Sequence, residues 1–87
     1  MSRDTFESLT NDFSEIMKNL NNPEYNKSSL LEEIDDYMLK SKSLGSVMKD
    51  KKHTLDLRSG ILSNIKIGLV NKLELENKEN LHNKSSK

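Results

Sequence analysis

One interval constrains this chain more than any other feature. From Ile34 a residue suited to a helix seam returns every seven positions, at Ser41, Met48, Leu55, Leu62 and Leu69. A companion series three residues on, Tyr37, Leu44, Lys51, Arg58, Ile65 and Lys72, completes an alternation of threes and fours over about five heptads. Eight of the twelve positions are apolar. Such spacing keeps one stripe of a helix facing a neighbour, so a helix over 34 to 69 must bury that stripe against something. The polar members, Ser41, Lys51, Arg58 and Lys72, weaken the seam. Arg58, flanked by Leu55 and Leu62, has two readings: a buried polar layer that sets register, or a stem covering the seam while the guanidinium reaches water.

A shorter helix precedes it. Phe6, Leu9, Phe13, Ile16, Met17 and Leu20 form one apolar face, and Asp4 with Glu7 supplies acceptors for the free N–H groups of a first turn. Asn21-Asn22-Pro23 ends this helix, because proline lacks an N–H and forces the residue before it out of helical geometry. Ser29 and Glu32 have capping-box spacing, which opens the second helix near Leu30. The glycines 45, 60 and 68 each cost about 1 kcal/mol in a helix interior, and Ser59-Gly60 is the expected break. An alternating reading of Ile65, Ile67, Leu69, Leu73 and Leu75 as a hairpin turning at Asn71-Lys72 lacks the glycine such a turn favours, so helix is preferred. The expected architecture is therefore all-α: a helical hairpin with a long, coiled-coil-like second helix broken near Gly60. One domain covers 1–75, with helices over about 5–20, 30–58 and 61–75, a connector at 21–28, and a flexible, disordered C-terminal tail over 76–87.

Composition limits what such a chain can do. With 87 residues, 32% of them hydrophobic, 32% charged and none Trp, the core is thin, so an oligomer or a partner is the natural source of further burial. Residues 1 to 40 hold 4 basic and 9 acidic groups, a net of −5, and residues 41 to 87 hold 10 and 5, a net of +5. That asymmetry favours antiparallel or staggered pairing of an acidic half with a basic half. It disfavours nucleic acid as the main partner, since Lys49, Lys51 and Lys52 read as a solvated helix face. No apolar leader follows Met1, and the least polar stretch, Ile61 to Val70, is broken by Ser63, Asn64, Lys66 and Gly68, so no spanning helix is expected. The absence of cysteine suits an intracellular, cytoplasmic setting.

No catalytic or metal-binding pattern stands out. Glu32, Glu33, Asp35 and Asp36 lie in the first turns of a helix, where negative charge is favoured without any chemistry. His53 and His82 have no ligand-spaced companions, no serine has nucleophile-elbow context, and the glycines are too dispersed to hold a phosphate. Tyr25 and Tyr37 suit contact positions, with an apolar ring and a polar tip.

Three helical families share short stretches with the chain. Leu55, Arg58, Gly60-Ile61-Leu62 and Ile65 resemble the second half of a Golgi-type SNARE helix, which implies that Arg58 stands at a polar central layer. Phe6-Glu7, Glu15-Ile16-Met17 and Leu20, with Leu31-Glu32-Glu33 and Leu44, are similar to the small subunit of exonuclease VII, a non-catalytic helical hairpin. Glu15-Ile16-Met17, Asn22-Pro23 and Tyr37 resemble needle and inner-rod subunits of type III secretion. Each covers a small part of the chain. The expected function is that of a non-catalytic helical interaction protein, an adaptor or small subunit that binds protein partners or copies of itself without a cofactor. Alternatives are an accessory subunit of an enzyme whose active site lies on another chain, a SNARE-like or secretion helix, and a regulator that folds on binding. The expected partner interface is Ile34, Tyr37, Met48, Leu55, Arg58, Leu62, Ile65 and Leu69.

Overall fold

The computed structural model describes the backbone of residues 5–85 and the side chains of residues 5–76. The order is α1 (Phe6–Leu20), α2 (Lys27–Val47), one 3-10 turn (Lys49–Lys51) and α3 (Lys52–Ser85). The expected all-α class is present, with no strand among the described residues. The tail expected over 76–87 falls, beyond Glu76, outside the residues whose side chains are described.

Local chemistry sets the helix ends, in places one to three residues from where the sequence alone put them. Thr5, not Asp4, caps α1: its Oγ1 accepts from the Ser8 N–H and its own N–H donates to the Ser8 hydroxyl, both at 3.0 Å. This reciprocal pair satisfies two donors that the first turn leaves free. Asp4 lies outside the described residues. At the other end the Asn21 side chain donates to Met17 O at 3.2 Å, and Asn22 then accepts from the Glu24 N–H at 3.1 Å, turning the chain through Pro23. α2 opens earlier than Ser29, because Asn26 Oδ1 accepts from the Ser29 N–H at 2.9 Å and is an equally good cap.

The main correction concerns the long second helix. It does not run from 30 to 58, and Gly60 does not break it. The chain leaves helical geometry at Met48 (φ −105°, ψ 81°), where its N–H donates to Leu44 O at 2.7 Å. The run before it, Ser41-Lys42-Ser43-Leu44-Gly45-Ser46-Val47, is rich in residues that compete with or weaken a helix. α3 then continues without interruption through Gly60 and Gly68.

The break folds the heptad series onto itself. α3 returns antiparallel along α2, as the pairs Ser41–Leu55, Asp35–Lys66 (2.6 Å) and Lys27–Glu76 (3.5 Å) record, with one number rising as the other falls. Gly45 is buried at the tight end of this hairpin, where Lys52 Cγ and Leu55 Cδ1 come within 3.7 and 3.8 Å of the place a Cβ would occupy. α1 runs beside α3 in the same direction, since Lys51 and Arg58 stack on Phe6 and Leu20 shares a hollow with Leu69. The result is an up-down-up three-helix rod measuring 57 × 21 × 21 Å. Its core takes Leu9 and Ile16 from α1, Leu30, Ile34 and Tyr37 from α2, and Leu55, Leu62 and Leu69 from α3.

Two substitutions separate core from surface. Leu62 is fully buried, so Leu62→Ala should lower unfolding free energy by about 2–5 kcal/mol. Gly60 and Gly68 have open space where a Cβ would stand and no positive φ, so Gly60→Ala and Gly68→Ala should each raise it by about 0.5–1 kcal/mol. Urea titration followed by circular dichroism measures both.

Candidate interaction surface

The structure places the expected partner residues inside the chain. Ile34, Tyr37, Leu55, Leu62 and Leu69 are all buried, Ile65 packs half-buried against the core, and Met48 sits half-buried at the turn. α2 and α3 satisfy each other's seam, so none of the five buried side chains is available to a partner while the bundle is folded. Ser41 is at 3% exposure, yet it fits between the helices because its hydroxyl donates to Leu55 O (3.4 Å) and accepts from Ser59 (3.2 Å). A buried polar group paired in this way avoids the desolvation cost of an orphan.

Arg58 joins α3 to α1. Its Nη1 donates to Thr10 Oγ1 at 2.8 Å, and its guanidinium carbon stands 5.0 Å from the Phe6 ring centroid and 5.6 Å from that of Phe13. The charged head thus makes a polar contact between two helices of one chain. Each ring contact is of the kind worth about 0.5–2 kcal/mol, depending on desolvation.

Tyr37 lies beneath this layer with its ring 6.0 Å from Phe13. Its hydroxyl is buried and has no hydrogen-bond partner among the described residues. Burial pushes its pKa above the ordinary tyrosine value, while the nearby Arg58 charge opposes that shift. Tyr25 differs: its hydroxyl donates to the Glu33 carboxylate, and that bond raises its pKa.

What remains free is the side of α3 turned away from the bundle. Six large hydrophobic residues are exposed among the described ones, and four of them, Leu57, Ile61, Ile67 and Leu75, lie on this helix. At about 100° per residue they fall on one strip with Gly60, Asn64, Gly68 and Asn71, all exposed as well. The strip carries no Asp, Glu, Lys or Arg from 57 to 71. The two charged residues in that span point elsewhere, Arg58 to α1 and Lys66 to Asp35 of α2. In a chain that is 32% charged, an exposed helical face of this length without a charge is the outlier of the surface. The signal was present in the sequence as 57-64-71 and 61-68-75, two further seven-residue series, but their polar and glycine members hid it beside the stronger core series.

Other concavities are less distinctive. Asp12 and Glu15 of α1 face Glu33 and Asp36 of α2 across a hollow of about 310 Å³, with Lys40 at its edge. No group of three or more His, Cys, Asp or Glu among the described residues is arranged to hold a metal ion. Phe6, Leu44, Val47 and Met48 line a shallow apolar groove of about 610 Å³ near the α2–α3 turn. No described helix is long and apolar enough to cross a membrane. Comparison with protein-family models, curated proteins and solved structures finds no match to the chain.

The Tyr37 environment sets an alkaline limit. Its folded-state pKa is raised, so the associated stability is intact below about pH 10 and is lost as pH climbs through the folded value, where the unfolded chain sheds the proton first. Tyr37→Phe should therefore change stability at pH 7 by less than about 1 kcal/mol, since an unpartnered hydroxyl is removed. It should also lose stability less steeply than the parent between about pH 10 and 12, as read by thermal melts across that range.

Proposed function

We propose that this chain is a non-catalytic helical interaction module, an adaptor or small subunit of a larger assembly, that docks through the uncharged outer strip of α3. The observation carrying this reading is that four of the six exposed large hydrophobic side chains among the described residues lie on one face of α3, which carries no charge from 57 to 71. The fold does not use that face, because the core is complete within the three helices. Exposed apolar surface gains free energy when covered, at roughly 25 cal/mol per Å². Charges around it keep the remaining surface in water.

A protein partner fits this chemistry better than a nucleic acid, whose phosphates need a basic face. The chain then acts by presentation: the bundle holds α3 rigid, and the strip offers side chains in the 3-4 spacing that another helix can meet. A cytoplasmic setting accords with the lack of cysteine.

The reading is tested with Ile61→Glu combined with Ile67→Glu, both exposed and hence compatible with folding. Affinity purification of the tagged full chain from its source cells should recover an associated protein, or further copies of itself, in stoichiometric amount. The double variant should lose that association while its helicity and melting temperature stay within experimental error of the parent. Retention of every association by the folded variant would remove the strip from the mechanism.

A further inference from the structure

Resting on that docking reading, we infer that the occupant of the strip is a second copy of this chain, paired antiparallel about Asn64. The inner residues of the strip are symmetric about Asn64. Gly60 and Ile61 precede Asn64 by four and three positions, and Ile67 and Gly68 follow it by three and four. An isologous two-fold interface requires that the residues before the axis complement those after it, and over 60–68 this order sets a large side chain against a glycine in both directions. A dissimilar partner imposes no such condition.

The geometry of the helix turns this palindrome into shape complementarity. At about 100° per residue, Ile61 lies roughly 60° to one flank of Asn64 and Gly68 roughly 40° to the same flank, while Ile67 and Gly60 take the other flank at matching angles. In an antiparallel pair related by a two-fold axis, like flanks meet and residues equidistant from the centre come level. Ile61 then lies over the partner's Gly68, and Ile67 over the partner's Gly60. Four isoleucine knobs enter four glycine recesses. This explains two residues that the monomer leaves unexplained: Gly60 and Gly68 have nothing within 4 Å of a built Cβ, and no positive φ demands glycine at either. Close helix approach over small residues gives them a purpose.

Polar and charged groups agree with the pairing. Asn64 falls on the axis, where its carboxamide, with both donor and acceptor, can bond reciprocally to its symmetry mate. No ionised group between 57 and 71 faces the interface; at its N-terminal edge Lys52 pairs with Asp56 at 2.8 Å, and at its C-terminal edge the exposed Lys72 and Glu74 flank it about 80° to either side of Asn64. Contact over residues 53–75 extends about 33 Å along one helix. A single helix pair of that length sits at the small end of specific interfaces, consistent with a dissociation constant in the micromolar range.

Cysteine cross-linking tests orientation, since the chain has no native cysteine. In the full chain, Leu57→Cys and Asn71→Cys variants mixed under mild oxidation should form the mixed disulfide dimer, whereas each alone should stay largely without a disulfide cross-link. Sedimentation velocity should show the unmodified chain moving from monomer to dimer as concentration rises. Gly60→Ala with Gly68→Ala should raise the melting temperature yet weaken dimerisation by on the order of tenfold, because the added methyl groups fill the recesses. A chain that remains monomeric up to millimolar concentration, self-linking of Leu57→Cys alone, or glycine variants that dimerise as well as the parent would each overturn the pairing. If the parent is monomeric but Ile61→Glu with Ile67→Glu loses a different protein, the docking face stands and the second copy does not. If neither association exists, both readings fall.

Discussion

Everything in this fold depends on the burial of one heptad series against itself. Ile34, Tyr37 and Ser41 on α2 meet Leu55, Leu62 and Leu69 on α3, and the six form the buried spine of the rod. The seam remains in phase across the turn because Ser41, Met48 and Leu55 keep the seven-residue interval. An antiparallel hairpin needs only that each helix present its stripe inward, so the same pattern that could drive two chains together is satisfied within one. Intramolecular closure has the advantage of proximity, since the connection from Val47 to Lys52 is a single 3-10 turn.

The electrostatic division of the chain follows the same logic. An acidic first half and a basic second half suggest antiparallel pairing, and part of that pairing occurs inside the molecule, where Asp35 of α2 receives Lys66 of α3. Exposed ion pairs of this kind contribute roughly 0–1 kcal/mol, so they bias orientation more than they hold the fold. Arg58 is the stronger polar device. Held by Thr10 and stacked between Phe6 and Phe13, it fixes α1 against α3 at a point where the backbones of those helices are bridged by side chains.

With the heptad series consumed by the core, the face proposed for docking is the opposite side of α3. Core and outer strip share one helix, so the bundle that buries Leu55, Leu62 and Leu69 necessarily aims Leu57, Asn64 and Asn71 at solvent. Rigidity and presentation are thus two consequences of one packing arrangement. Gly60 and Gly68 belong to this outer side, where neither a positive φ nor a close contact within the chain calls for glycine.

The sequence by itself determined the helical class, the two apolar stripes and the polar connector around Pro23, because helix periodicity and proline geometry are local properties. It also marked Ile34, Tyr37, Ser41, Leu55, Leu62 and Leu69 of the α2–α3 seam, though not Leu30 or Gly45. It could not decide whether that seam faces another chain or folds on itself, because a heptad repeat specifies which side of a helix is buried and says nothing of what buries it. Nor did propensity locate the break: Gly60 costs helix stability but lies exposed in an otherwise well-supported α3, whereas the Ser41–Val47 run yields at Met48 because the hairpin it permits buries Leu55 against Gly45. Tertiary packing settled both questions, since the free energy of closing the core within one chain outweighs the local preferences of a few glycines and serines.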